Sequence, residues 1–143
     1  MSSAVLGYGT LLKRGDGGGP EVFTAIAEVK DISEFGAERE LVEVTHYTSP
    51  SGYREFILGL KDGSQFTARM NWIPSHATQS STAGVVYDFN NDTVHNYQLV
   101  FPTSPAVTAA VALRAMSFRV LPPNDGALEL EVNFKVSGAI TWS

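Results

Sequence analysis

The chain has 143 residues, a formal net charge of −5, a sequence pI of about 5.1 and no cysteine. This length suits one domain, and a content of 43% hydrophobic and 17% charged residues is ordinary for a globular protein. The net negative charge argues against a nucleic-acid-binding protein, because neutralising phosphates requires clustered Lys and Arg. Without cysteine, disulfides and thiolate chemistry are excluded.

The N-terminal sequence MSSAVLGYG has neither the basic region nor the long apolar run of a signal peptide. No apolar segment approaches the ~18 residues that span a bilayer. We therefore expect a soluble protein that stays in the compartment where it is made. No repeat or linker divides the sequence, so we expect residues 1–143 to form one domain.

The first third of the chain predicts strands joined by loops. Residues 1–14 are interpreted as an N-terminal strand or arm, because apolar residues are mixed there with glycines. Gly15–Pro20 (GDGGGP) is a glycine-rich loop without the Lys-Ser/Thr ending of a phosphate-binding loop. Val22–Ile32 and Glu38–Thr45 are rich in strand formers and predict two further strands.

Residues 46–59 (HYTSPSGYREFILG) predict a long loop, because alternation is missing and Pro50 and Gly52 interrupt the segment. Loops of this length are uncommon in compact domains unless they have a function. The apolar residues of the loop indicate that it packs against something; they are Tyr47, Tyr53, Phe56, Ile57 and Leu58.

Residues 64–73 predict a strand with two different faces. The apolar face, suited to burial, consists of Phe66, Ala68, Met70 and Trp72. The opposite face is polar and consists of Gln65, Thr67, Arg69 and Asn71. Asp62-Gly63 predicts a turn before this strand, and Pro74 ends it.

The rest of the chain predicts one helix and three strands. Residues 75–89 predict the helix, because apolar residues approach helical spacing after a possible Ser or Thr cap. Residues 94–101 and 107–121 predict strands, the second with Arg114, Met116, Phe118 and Val120 on one face. Leu128–Val136 alternates most clearly, and its polar face carries Glu129, Glu131, Asn133 and Lys135. The pattern predicts a mainly β fold: an antiparallel β-sandwich or half-barrel with one flanking α-helix.

Sequence motifs for catalysis or metal binding are missing. His46, His76 and His95 are far apart and match no metal-ligand spacing. No GxSxG frame positions a nucleophile, and the glycine-containing turns at Asp16 and Asp62 are typical of turn geometry rather than of calcium loops. We expect no enzyme, no metal and no cofactor.

Four segments follow one another along nearly the whole chain: GTLLKRGDG, FTAIAEVKDIS, YREFILGLKDGSQFTARMNW and PPNDGALELEVNFKVSGAITW. In this order they resemble the major tail tube proteins of long, non-contractile-tailed bacteriophages, the lambda-like siphophage family. Each segment is only a strand-and-turn pattern, so the resemblance depends on their joint order.

The resemblance implies a structural virion protein that forms hexameric rings, and the rings stack into the phage tail tube. Strands of six subunits would join around a channel for DNA ejection into the host. The implied partners are further copies of the chain, the tape measure protein, and the tail terminator and tip proteins. DNA would pass without sequence-specific binding, and the protein would be made in the cytoplasm of the host bacterium.

The resemblance also implies roles for two sets of residues. The 46–59 loop would contact the next ring through Tyr47, Tyr53, Phe56 and Ile57; the alternative is that these residues pack on their own subunit. The candidates for the channel face are Gln65, Thr67, Arg69, Asn71, Glu129, Glu131, Asn133 and Lys135; the alternative is an ordinary solvated surface. An acidic channel wall would suit DNA passage, because like charge prevents sticking.

Two other functions stay open from the sequence. One is a ring protein of a contractile injection or type VI secretion tube, which would share the fold. The other is a monomeric β-sandwich that binds a carbohydrate or peptide.

Overall fold

The structure is a computed structural model that describes residues 2–91 and 94–143. These residues form one α-helix, α1 (Val85–Asn90), one 3-10 turn (Pro50–Gly52) and ten strands. The strands are β1 (Leu11–Gly15), β2 (Phe23–Ala25), β3 (Val29–Ile32), β4 (Ala37–Glu43), β5 (Phe56–Gly63), β6 (Gln65–Asn71), β7 (His95–Phe101), β8 (Val107–Leu121), β9 (Glu129–Val136) and β10 (Thr141–Trp142).

Eight of the described strands form one antiparallel sheet, in the order β2-β1-β7-β8-β9-β6-β3 with β10 also paired to β8. Strand β8 joins the two halves of this sheet: Val107–Leu113 pairs with β7, and Leu113–Leu121 pairs with β9. Strands β4 and β5 form a separate two-stranded sheet. The predicted fold, mainly antiparallel β with one helix, is confirmed, although the helix is short.

The core is built from alternate residues of the central strands. Its buried apolar members in β6, β7 and β9 are Phe66, Ala68, Met70, Tyr97, Leu99, Leu130, Val132, Phe134 and Val136. The apolar faces predicted for β6 and β9 are therefore confirmed, with Trp72 only partly buried at the end of the first. Because the side chains of a strand alternate, the polar residues between them share the opposite face.

Several predicted boundaries are wrong in the first half of the chain. The N-terminal strand covers Leu11–Gly15, and residues 2–10 form no regular strand. The strand predicted at residues 22–32 is two strands, because the chain turns between them at Glu28, whose φ is 51°. The turn predicted at Asp62-Gly63 lies at the end of β5, where a Cβ on Gly63 would be only 2.2 Å from Cγ1 of Val136.

A β-bulge corrects the face predicted for β8. The register shifts between Ala115 and Ser117, so that Arg114 lies opposite Lys135 whereas Phe118 lies opposite Val132. An extra residue in one strand reverses the facing of every later side chain. Arg114 and Phe118 therefore point to opposite faces, which strict alternation does not predict.

The helix predicted at residues 75–89 is wrong over most of its length, since residues 74–84 are turns and only Val85–Asn90 is helical. The fully buried side chain of Gln79 determines this conformation. Its Oε1 accepts a hydrogen bond from Ile73 N at 2.8 Å, and its Nε2 donates to Ala27 O at 2.7 Å and to Asn71 O at 3.0 Å. These bonds attach the segment to the end of β6, to Ile73 just after it and to the turn before β3, and they favour turns over a helix here.

Gly84, which precedes α1, is the tightest point of this segment. A Cβ at Gly84 would lie 2.4 to 2.5 Å from backbone atoms of Thr78, Gln79 and Ser80. We predict that Gly84→Ala lowers the free energy of unfolding by about 1–3 kcal/mol, because backbone cannot move aside as a flexible side chain does. Urea unfolding measures the effect. Gly36→Ala is the control, since no atom lies within 4 Å of its Cβ position; equal losses in both variants would contradict the prediction.

Candidate assembly surfaces

Strands β4 and β5 form a hairpin that is not part of the eight-stranded sheet. The cross-strand register places Leu41 opposite Leu58 and Val42 opposite Ile57. Because neighbouring residues of a strand point to opposite faces, one apolar pair lies on each face of the hairpin. Every residue of β4 and most of β5 are exposed. The hairpin therefore presents apolar side chains on both faces and buries neither face within its own chain.

The exposed apolar set on this hairpin and its tip is large. It comprises Leu41, Val42, Val44, Tyr47, Tyr53, Phe56, Ile57, Leu58 and Leu60. Large contiguous apolar patches are rare on soluble monomers and mark interaction sites. The hairpin is therefore the leading candidate for a surface that another protein chain covers.

Hydrogen bonds within residues 44–55 hold the tip of the hairpin. Val44 N donates to Glu55 O at 2.9 Å, and Glu55 N donates to Thr45 Oγ1 at 2.8 Å. His46 N donates to Ser49 Oγ at 2.9 Å, and Ser51 and Gly52 complete the turn with φ values of 57° and 73°. The tip thus extends the hairpin and carries the two exposed tyrosines.

The loop predicted at residues 46–59 is wrong at its C-terminal end. Phe56 and Ile57 belong to β5, because FILGL is rich in strand formers and finds its partner, β4, before the tip. Tyr47, Tyr53, Phe56 and Ile57 are all exposed, which does not favour the alternative that they pack on their own subunit. Their contact with a neighbouring ring stays a prediction.

The eight polar residues that are candidates for the channel face lie together on one face of β6 and β9. The register pairs Gln65 with Lys135, Thr67 with Asn133, Arg69 with Glu131, and Asn71 with Glu129. Strand β8 extends this face, with Ser117 opposite Asn133 and Arg119 opposite Glu131. We call these ten residues the polar strip. Its position in a channel stays a prediction.

One row of the polar strip is uncharged and internally hydrogen-bonded. Thr67 Oγ1 donates to Asn133 Oδ1, and Asn133 Nδ2 donates to Ser117 Oγ at 2.7 Å. The carboxamide of Asn133 thus connects β6 to β8 across β9. Groups already bonded to one another have little capacity left for a ligand.

The charged rows of the strip are ion-paired. Arg69 Nη2 donates to Glu131 Oε2 at 3.0 Å, and Arg119 Nη2 lies 3.9 Å from Glu131 Oε1. Lys30 of β3 binds Glu129, and Arg69 Nε lies 3.8 Å from Glu129 Oε1. The hydrogen bond from Lys30 lowers the pKa of Glu129, and the hydrogen bond to Glu131 raises the pKa of Arg69.

The strip therefore differs from the acidic wall expected from the sequence. Both of its glutamates have cationic partners, and Lys135 binds Asp62 with 2.7 Å between Nζ and Oδ1. The net charge of the sequence does not show this, because Lys30 of β3 and Arg119 of β8 are brought close to the two glutamates only by the fold.

A buried ion pair connects α1 to β1 and β7. Arg14 Nε donates to Asp88 Oδ2 at 2.9 Å, and Arg14 Nη2 donates to Asp88 Oδ1 at 2.7 Å. The Tyr97 hydroxyl donates to the same carboxylate, and His95 Nε2 accepts from Arg14 Nη2 at 3.2 Å. The hydrogen bond with Asp88 raises the pKa of Arg14, and burial raises the pKa of Tyr97 well above its ordinary value. This cluster stabilises the packing of the helix on the sheet.

A cleft of about 890 Å³ opens between the N-terminal segment and β3. Its apolar lining includes Tyr8, Phe35, Leu99 and Phe101. Val5, Leu6 and Tyr8 of the N-terminal segment are themselves exposed. The segment is thus a second apolar surface beside the hairpin.

Within residues 2–91 and 94–143, no three His, Asp or Glu side chains come together as a metal site would require. No helix in this part of the chain is long and apolar enough to cross a membrane.

Sequence reasoning did not assign the apolar residues Leu41 and Val42 of β4 and Leu60 of β5 to an exposed surface. A usable signal was present, because LVEV and FILGL place apolar residues at both parities, a pattern typical of strands that are covered on two faces. It also missed Arg14 and Asp88, which are 74 residues apart and carry no local pattern.

Neither family models nor curated proteins match this chain. Solved structures do. The tail of an empty gene transfer agent particle, refined with C6 symmetry, has a TM-score of 0.75 at 19% identity, covering 98% of this chain and 99% of that chain. The PVC sheath/tube terminator of an extracellular contractile injection system has a TM-score of 0.71 at 11% identity, covering 100% and 99%. The SPP1 tail tube has a TM-score of 0.71 at 12% identity, covering 98% and 79%.

These similarities extend over essentially the whole chain. At such low identities they establish a shared fold. The chain therefore has the fold found in the tail and injection-tube structures above.

Proposed function

We propose that this chain is a structural subunit of a phage-type tail tube, in which hexameric rings stack around a channel for DNA. The observation that carries the proposal is the hairpin: a tube-protein fold projects a two-stranded element whose two faces are apolar and uncovered. An isolated hairpin of this kind is at best marginally stable in water. Neighbouring copies of the chain, in the same ring and in adjacent rings, bury the two apolar faces of the hairpin.

Open sheet edges support the same proposal. Strand β2 pairs only with β1, and β3 only with β6, among the described strands. Edges of this kind are templates for pairing with another chain. In a closed ring, each open edge of one subunit pairs with the adjacent subunit, so no sheet edge stays open.

The roles of the two residue sets follow from this arrangement. Tyr47, Tyr53, Phe56 and Ile57, all exposed in the single subunit, contact the adjacent ring. The polar strip on β6, β9 and β8 faces the channel, because it is the extended polar face of the sheet and its opposite face is the core.

The proposed location is the virion tail, with synthesis in the cytoplasm of a host bacterium. The proposed tail is of the non-contractile, lambda-like type. Partners are other copies of the chain, a tape measure protein in the channel, and terminator and tip proteins at the ends. DNA passes without sequence-specific recognition, and the role is structural rather than catalytic.

The second candidate is a tube subunit of a contractile injection system. It is favoured by the PVC and anti-feeding prophage structures, whose TM-scores lie between 0.68 and 0.71. A type VI secretion tube belongs to the same candidate class. Co-purification of a sheath protein with tubes from the producing cell would favour this candidate over a non-contractile tail.

Negative-stain electron microscopy of the purified full chain tests the proposal. We expect rings, or tubes built from stacked rings. Featureless particles together with a monomeric mass in light scattering, at every protein concentration tested, would contradict it and favour a monomeric binding module.

A further inference from the structure

The cations that pair with Glu129 and Glu131 lie further out than these two carboxylates. The side chains of Lys30, Arg69 and Arg119 are 44%, 48% and 69% exposed, whereas those of Glu129 and Glu131 are 18% and 16% exposed. Three cations therefore surround two carboxylates, and the cations are the groups that an approaching molecule meets first.

Such a row of cations has the chemistry that binds a polyanion. Guanidinium and ammonium groups form strong charge-assisted hydrogen bonds with phosphate oxygens. Each phosphate that is neutralised releases counterions and strengthens binding to DNA. A wall of unpaired cations would therefore hold DNA rather than let it move.

The carboxylates occupy these cations from within the same chain. Glu131 lies between Arg69 and Arg119, and Glu129 lies between Lys30 and Arg69. A partner fixed on the same sheet acts at a high effective concentration, so an external phosphate competes at a disadvantage. The uncharged row of Thr67, Asn133 and Ser117 is bonded internally and offers no replacement site.

We propose that Glu129 and Glu131 stay ion-paired with Lys30, Arg69 and Arg119, and that this pairing prevents the phosphate backbone of duplex DNA from binding to the strip. The inference rests on the proposed function, in which the strip faces passing DNA. DNA then does not adhere to the channel wall because the cations of this nearly neutral wall are already ion-paired within the chain. Repulsion of DNA by a net negative charge is not required.

The test uses the full chain carrying Glu129→Gln and Glu131→Gln, which keep the side-chain shape and remove both negative charges. The matched control carries Glu38→Gln and Glu40→Gln, which change the net charge equally on β4, where both residues are exposed. All proteins also carry Leu41→Thr and Ile57→Thr on the hairpin, so that the strip stays accessible in unassembled subunits. Light scattering confirms the monomer, and circular dichroism confirms the fold.

Fluorescence anisotropy with a short labelled duplex DNA measures binding. We expect the strip variant to bind DNA at about 50 mM salt and to lose about 40-fold in affinity by about 200 mM, from a slope of about −0.9 per phosphate for three cations. We expect no binding by the parent or the control. Equal binding by the strip variant and the control, or none by the strip variant, would overturn the inference.

A second variant adds Arg69→Gln and Arg119→Gln to the glutamine variant and checks that the cations carry the binding. It restores the net charge of the parent and removes two of the three cations that surround Glu129 and Glu131, so we expect DNA binding to be lost. DNA binding as strong as that of the glutamine variant would overturn the inference. None of these measurements depends on ring formation, so failure here and failure of the tube proposal are separate results.

Discussion

Replacing Leu41 and Ile57 by threonine should abolish rings and tubes while leaving the free subunit folded. The two residues lie on opposite faces of the β4–β5 hairpin and are 60% and 55% exposed. Burying a Leu or Ile side chain contributes about 1.5–3 kcal/mol, and this loss recurs in every subunit of an assembly. Threonine keeps the strand propensity, so we expect the stability of the monomer to change by no more than about 0.5 kcal/mol.

Electron microscopy measures the assembly, and urea unfolding measures the fold. The control is Val22→Thr with Leu128→Thr, two apolar residues that are exposed outside the hairpin. We expect the control to assemble. Tubes of normal length from the hairpin variant would show that these faces are not the assembly contacts.

Replacing Arg14 by methionine should destabilise the subunit by about 3–5 kcal/mol, the usual consequence of leaving one partner of a buried ion pair without the other. The side chain of Asp88 is 1% exposed, and both its oxygens are bonded to Arg14. The double variant Arg14→Met with Asp88→Asn should recover part of the loss, because it removes the buried charge as well.

Urea unfolding of the single and double variants measures this coupling. Arg54→Met is the matched control, since Arg54 is exposed and lies outside the strands, and we expect almost no effect from it. A loss from Arg14→Met as small as that of the control would show that the pair is not structurally important.

The predictable part of this fold is the part with a local pattern. Strands β6, β7, β8 and β9 were predicted within two residues at each end because their side chains alternate or because turn residues bound them. The 74–84 segment was not predictable, because the buried amide of Gln79 bonds to Ala27 and Asn71, and no spacing in the sequence indicates these partners. The bulge at Met116 is likewise a tertiary feature.

The candidate site divides in the same way. The composition of the polar strip could be predicted from alternation in two strands. Its charge balance could not, because Lys30 and Arg119 reach the glutamates from β3 and β8. The hairpin was assigned partly to a loop, since its pairing depends on β4, which lies on the other side of the tip.

A cryo-electron microscopy map of assemblies formed by the purified full chain tests the central claim most directly. We predict stacked closed rings, with the β4–β5 hairpins buried between subunits and the polar strip of β6, β9 and β8 facing an open channel. A map in which the strip faces the outer solvent, or in which the hairpins contact no neighbouring subunit, would contradict the account.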